Sequence, residues 1–354
     1  MIRDKQLITS TLYMKQKVLL TGVTGFLGAH TTIQLLEKGY QVIGTLRNSK
    51  RAEEMRKIIG KHTDKVDQLS FATADLMDNK IWLDLMDGID FVQHIASPFP
   101  RVLPKKEDDL IIPAKNGTLS ILQAAAKKGV KRVVLTSSSG AIIYGKPKQE
   151  RSGTYNETDW TDVQRKKDTT PYFRSKTIAE KAAWDFIEQD QSGLELSTVC
   201  PGAILGPVLE EDFGTSANIV IKSLDGSVPA LPNIGFDVVD VRSVADLLIR
   251  AMEQPAAAGQ RFIGSAGYLK FADVAQILKQ AYPKRKVPSF VLPNFAVRLF
   301  SNIDPSLKPI LIDLGVVRKV DNSKAKEILG WRPIDTKEAV LSCAKSAIEI
   351  GIVK

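Results

Sequence analysis

The stretch KVLLTGVTGFLGAHTTIQLLEKG, residues 17–39, narrows the possible folds more than any other part of the chain. An apolar run of strand type gives way to a helical period within a few residues, and Gly22, Gly25 and Gly28 fall at three-residue spacing across the change. Glycine at the first position allows a tight turn, at the second a close backbone approach to a pyrophosphate, at the third close packing of helix on strand. The helix that follows aims its free amides and the positive end of its dipole at the same point. With a second strand, YQVIGTLR, directly after the helix, the context this spacing demands is complete, and it predicts a dinucleotide site rather than a merely tight turn.

Further runs of strand type, LSFATADL, DFVQHIAS, KRVVLTSSS and LELSTVCPGAIL, alternate with the helical stretches IIPAKNGTLSILQAAAKKG and SKTIAEKAAWDFIEQ. Strands separated by helices of this length imply right-handed crossovers and a mostly parallel sheet, so the fold class is α/β, doubly wound. After about residue 203 the rhythm breaks into loop-rich and proline-punctuated sequence, which predicts a smaller lobe covering the sheet. The expected division is a polar tail over 1–13 with Met14 as an alternative start, a nucleotide-binding domain over 14–203 with 237–265 returning to it, and a substrate lobe from 204–236 and 266–354.

Composition excludes several other classes. No apolar run approaches the roughly 20 residues that span a bilayer, and the first residues lack the apolar core of a secretory signal. Cys200 and Cys343 are the only cysteines, and with three histidines they indicate neither a disulfide framework nor a metal site. A cytoplasmic protein without a membrane partner is expected. The net charge of +9 invites a nucleic-acid reading, but 40 acidic residues are scattered among 49 basic ones. No basic run is interleaved with aromatics as a stacking platform requires, so a solvated basic surface is the better account.

The choice of dinucleotide turns on the end of the second strand. An NAD site usually offers a carboxylate there for the ribose hydroxyls. This chain has TLRNSKR instead, with Arg47, Lys50 and Arg51 and no acid before Glu53. A guanidinium fork suits a phosphate, so NADP(H) is expected rather than a merely solvated turn. Asp75 and Leu76 close the third strand, where the carboxylate can meet the adenine amino group and the leucine can cover the ring.

The triple serine Ser137–Ser139 ends a buried strand at the edge where ligands sit in such sheets. The helix opened by PYFRSK carries Tyr172 and Lys176, four apart and therefore on one face. Carbonyl reduction needs a proton donor at oxygen while hydride arrives at carbon, and a free phenol with pKa about 10 is a weak donor near neutrality. A cation about 4 Å away at an effective dielectric near 20 favours phenolate by roughly 4 kcal/mol, so Lys176 is expected to lower the Tyr172 pKa. A serine hydroxyl from the strand end would hold the substrate oxygen. His94 follows a strand, but no nucleophile elbow exists, and it is expected to be a packed or hydrogen-bonded residue beside the cofactor.

Together these residues resemble the extended short-chain dehydrogenase/reductase family, and within it the dihydroflavonol reductase-like branch of NADPH-dependent aldehyde, methylglyoxal and ketone reductases. The likeness runs from Lys17 through TGVTGFLG, HIASPF, VVLTSSSGAI, YFRSKTIAEKAAW, VCPGAILGP, FDVVDVRSVADL and KAKEILGWRP. It implies a Rossmann domain plus a C-terminal substrate lobe. Carried over by motif, Ser138 resembles the active serine, with Ser137 and Ser139 left open by the register. Tyr172 resembles the acid/base, and Lys176 its partner, which also binds the nicotinamide ribose. Pro201 resembles the turn facing the nicotinamide. The resemblance also brings Thr24, Phe26, Leu27, Ala96, Ser97, Pro98 and Ser216 to the coenzyme. Ile143 stands where plant dihydroflavonol reductases carry a polar Asn or Asp, and TTP stands where cinnamoyl-CoA reductases carry N-W-C, so both specialised substrates are disfavoured.

The leading expectation is an NADPH-dependent reductase of aldehydes or ketones, its substrate pocket lined by 97–101, 140–145, 207–218 and the C-terminal lobe. An NAD-linked sugar-nucleotide epimerase, a steroid-type dehydrogenase and a non-catalytic NADP-sensing module are the rivals. The intact YFRSK counts against the last. Monomer and homodimer both remain open.

Overall fold

The computed structural model describes residues 15–98 and 106–354. The tail with Met14, and Phe99, Pro100 and Arg101 of the expected substrate wall, lie outside the described residues.

Twelve strands are formed among them. The first six are β1 (Lys17–Thr21), β2 (Gln41–Leu46), β3 (Leu69–Thr73), β4 (Phe91–His94), β5 (Arg132–Thr136) and β6 (Gly153–Tyr155). The rest are β7 (Glu195–Pro201), β8 (Ala203–Leu205), β9 (Gly235–Asp240), β10 (Gln260–Gly264), β11 (Gly267–Lys270) and β12 (Arg318–Val320). The first seven helices are α1 (Phe26–Glu37), α2 (Ala52–Gly60), α3 (Asn79–Leu85), α4 (Asp108–Lys127), α5 (Pro171–Gln189), α6 (Asn218–Leu224) and α7 (Val241–Glu253).

Seven strands form one sheet in the order β3-β2-β1-β4-β5-β7-β10, and every neighbouring pair is parallel. Its direction of winding reverses between β1 and β4, which opens a crevice at the carboxyl ends of those strands. Successive side chains of a strand leave opposite faces. Val18 and Leu20 of β1 accordingly pack with Leu35 and Leu36 of α1 and with Val244 and Leu248 of α7. Leu19 goes to the other face with Ile121 and Leu122 of α4 and Ala183 of α5. Because helices cover both faces, the strands read as continuous apolar runs instead of alternating ones.

A third apolar cluster gathers Leu205, Val220, Ile234 and Val238 with Phe271, Leu278, Val340 and Ala344, away from the main sheet. Above it, β8, β9 and β11 form a three-stranded sheet, parallel between β8 and β9 and antiparallel between β9 and β11.

Two sequence expectations change here. LELSTVCPGAIL is two strands in different sheets, β7 and β8, broken at Gly202. A Cβ at Gly202 would stand 2.2 Å from the Asp237 carbonyl oxygen, so glycine is what lets the chain leave one sheet and meet β9. The main sheet also gains β10, whose sequence QRFIG is too short and too polar at its start to announce a strand. Among the described residues, no helix is long and apolar enough to cross a membrane. Both cysteines are buried free thiols.

Candidate active site

The glycine turn forms one wall of a cleft of ≈ 750 Å³. Gly22 adopts φ +80°, a left-handed conformation that costs other residues energy. A Cβ at Gly28 would lie 2.0 Å from the Gly22 carbonyl oxygen, so the third glycine is what allows α1 to start directly against β1. At Gly25 a Cβ would meet nothing nearer than that same oxygen, at 3.4 Å. Helix α1 has no side-chain cap and no acid in its first turn, so its first amides are left for an anion. Gly28→Ala is expected to destabilise the fold by about 1–3 kcal/mol through overpacking and to weaken dinucleotide binding, as read by thermal melting and by titration with the coenzyme. Unchanged values in both would contradict the contact.

All but one of the residues expected around the coenzyme line this cleft. Gly22, Thr24, Gly25, Phe26, Leu27 and Gly28 form the turn wall, and Arg47, Asp75 and Leu76 stand at the ends of β2 and β3. Ala96, Ser97 and Pro98 follow β4, while Pro201 and Ser216 close the far side. The exception is Arg51. Its Nη2 donates to both carboxylate oxygens of Glu210, at 2.7 and 2.6 Å, and the residue is absent from the cleft lining. Of the expected substrate wall, Asp212, Gly214, Thr215 and Ser216 reach the cleft, but 140–145 do not. Ile142, Ile143 and Tyr144 are buried instead, with Cys200 and Ile263. Tyr144 stacks on Phe173 at 4.0 Å between ring centroids, which turns this stretch inward.

Ser138, Tyr172 and Lys176 all face the cleft. Helix α5 starts where it does because Thr170 is its N-cap, accepting from the Phe173 amide at 3.2 Å, and Pro171 occupies the first turn without needing a donor. Tyr172, Lys176 and Glu180 then follow at four-residue steps along one face. The three serines separate by geometry. Ser137 Oγ donates to Glu180 at 2.6 Å, Ser139 is absent from the cleft lining, and Ser138 lines the cleft with Tyr172 while accepting from the Gly140 amide at 3.0 Å.

The electrostatics correct one expectation. Burial pushes the Tyr172 phenol up to about 12, against which the Ser138 hydrogen bond works. Lys176 does not lower it in the chain alone. Its Nζ donates to the Thr136 carbonyl at 2.9 Å, and burial pulls its own pKa down to about 8, opposed by the charge on Glu180. For each group the cost of taking its charge out of water is the largest influence on its pKa.

His94 is buried and outside the cleft lining, and burial pulls its imidazole down to about 3. The Thr21 hydroxyl accepts from the Ile95 and Ala96 amides at 3.1 and 3.0 Å. Its one proton is therefore given to His94 Nδ1, 2.9 Å away. This fixes the chain leaving β4 toward the cleft.

Sequence reasoning missed the support beneath the site. Glu180 is fully buried and accepts from Ser137, from Thr198 at 2.8 Å and from Arg261 Nε at 2.7 Å. Arg261 in turn lies 3.6 Å over the Trp160 ring. A glutamate one turn beyond a helical lysine is the only signal, and it reads equally well as a surface pair.

The chain matches the model of the family described as NAD dependent epimerase/dehydratase over residues 18–263. It is 31% identical to cinnamoyl-CoA reductase 1 of Petunia hybrida, covering 95% of this chain and 93% of that one. Its identity to the ketoreductase azaE of Aspergillus niger is also 31%, covering 95% and 98%. Among solved structures, yeast methylglyoxal/isovaleraldehyde reductase Gre2 complexed with NADPH superposes with a TM-score of 0.80 at 28% identity, covering 96% of this chain and 100% of that one.

Proposed function

The chain belongs to the NAD-dependent epimerase/dehydratase family, and from that premise we infer that it is an NADPH-dependent oxidoreductase reducing aldehydes or ketones to alcohols by hydride transfer. The observation that carries this reading is that Ser138, Tyr172 and Lys176 face the same cleft as the glycine turn. Bound NADPH supplies the hydride.

The chain's own residues do the rest. The glycine turn and the amides of α1 hold the pyrophosphate, and Arg47 meets the 2′-phosphate. Ser138 donates a hydrogen bond to the substrate carbonyl oxygen and fixes its direction. Tyr172, kept protonated through neutral pH by its burial, gives its proton to that oxygen as negative charge develops there. The charge then rests on the phenolate oxygen, and the Lys176 ammonium, anchored on the Thr136 carbonyl, offsets it. Run backwards, the same groups oxidise the alcohol.

Small aldehydes and ketones are the substrate class we favour. This is supported by the likeness to the ketoreductase azaE and to methylglyoxal/isovaleraldehyde reductase Gre2. We take residues 14–203 with 237–265 as the coenzyme-binding body and 204–236 with 266–354 as the substrate lobe, a division supported by the cluster that joins Leu205, Val220 and Ile234 to Phe271, Leu278 and Val340, while Ala325, Leu329 and Trp331 pack into the main core. Residence in the cytoplasm is supported by two free thiols.

Coenzyme oxidation followed by absorbance, against small dicarbonyls, aliphatic and aromatic aldehydes, β-keto esters and flavonoids, tests the reading. Turnover with NADPH on a small carbonyl is expected, and no turnover on any member overturns it. Arg47→Asp is expected to lower the ratio of kcat/KM for NADPH over NADH by about 10–100-fold, the worth of a charged hydrogen bond to phosphate. An unchanged ratio would remove Arg47 from phosphate recognition.

A further inference from the structure

We propose that Glu210 is a specificity-determining residue of the coenzyme site: its carboxylate occupies Arg51, and the coenzyme's 2′-phosphate has to compete with it for that guanidinium. The inference rests on the NADPH reading above.

Arg51 stands four residues after Arg47 in sequence and caps the start of α2, and Arg47 itself lines the cleft. Its fork is already engaged. Nη2 holds both Glu210 oxygens, Nη1 lies 3.4 Å from Glu54, and Asp212 adds a third negative charge nearby. Glu54 is over half exposed, so its pull on Arg51 is screened, whereas the Glu210 side chain retains 15% of its exposure. Glu210 is also fixed from its own side. Its neighbour Leu209 packs on the core that contains α1, and the chain runs on to Asp212, Gly214, Thr215 and Ser216, which line the cleft.

Two consequences follow for an incoming phosphate. It meets Arg47 freely, but it gains Arg51 only by displacing a carboxylate whose two oxygens both sit on Nη2, a charge-assisted contact. It is also repelled by Glu210 and Asp212 while that exchange is incomplete. Removing the charge of Glu210 without changing its size frees Arg51 and removes the repulsion together. A coenzyme lacking the 2′-phosphate does not engage this contest, so the effect is confined to the phosphorylated ligand.

The test uses adenosine 2′,5′-bisphosphate and 5′-AMP as probes, titrated calorimetrically into the full chain, the wild type beside Glu210→Gln, Glu210→Ala, Arg51→Gln and the double variant Arg51→Gln/Glu210→Gln. Glu210→Gln and Glu210→Ala are each expected to bind the bisphosphate about tenfold more tightly, with 5′-AMP within about twofold of wild type. On the Arg51→Gln background the Glu210 substitution is expected to lose most of that gain. If wild type prefers the bisphosphate over 5′-AMP but both Glu210 variants bind it no better, the competition is refuted and the ion pair is structural. If the gain survives on the Arg51→Gln background, the exchange at Arg51 is refuted. If wild type shows no preference for the bisphosphate, the NADPH reading itself fails and takes this inference with it.

Discussion

Tyr172→Phe is expected to lower kcat for carbonyl reduction by about 10²–10⁴-fold, the usual contribution of a positioned general acid, while the Kd for NADPH stays within about twofold. The substitution removes the hydroxyl of a ring that lines the cleft with Ser138, and it leaves the glycine turn, Arg47 and Lys176 in place. Stopped-flow binding and steady-state turnover on the same preparation separate the two quantities. Near-normal turnover in the variant would falsify the acid assignment.

The pH dependence follows from the same pair. With the phenol pushed up to about 12 by burial, Tyr172 keeps its proton throughout the working range and does not set an alkaline limit. Lys176 does, because burial pulls it down to about 8 and the ammonium is lost as pH rises through that value. For reduction, kcat/KM, which reports the free enzyme, is therefore expected to fall above about pH 8. A profile flat to pH 10 would show that the ammonium is not needed.

The second large effect is on stability. Glu180→Ala is expected to cost about 3–5 kcal/mol, since it leaves the Arg261 guanidinium and two hydroxyls inside the protein without their shared acceptor. Arg261 is 8% exposed and Glu180 fully buried, so water cannot replace the lost partner. A lowered denaturation midpoint with unchanged m-value is the expected reading; a loss under about 1 kcal/mol would mean that the pair behaves as a surface bridge. Glu180→Gln keeps the shape but removes a charge that favours the Lys176 ammonium, so the alkaline limb of kcat/KM should move to lower pH. A purely structural glutamate would leave that limb where it is.

The pattern of apolar runs and helical periods carried the parallel sheet because β1, β4, β5 and β7 are buried on both faces and so read as unbroken apolar stretches. Gly22 and Gly28 were legible for a local reason: each solves a backbone problem within a few residues of itself, and the residue type that solves it is nearly unique. Arg51, Ile143 and Glu180 were not. The sequence shows Arg51 as a cation beside a phosphate site, but only folding brings Glu210, 159 residues away in sequence, into its fork. Residues 140–145 follow the serine proposed to hold the substrate oxygen and so suggest a pocket wall, yet Tyr144 stacks on Phe173 and they lie in the core. The direction of the Tyr172 shift depended on how deeply the cleft buries a charge, which no spacing encodes. What the chain determines by itself is every feature whose cause lies within one turn or one strand. What tertiary structure decides is which charges are paired and which are dry, because those energies depend on groups that meet only once the sheet has closed.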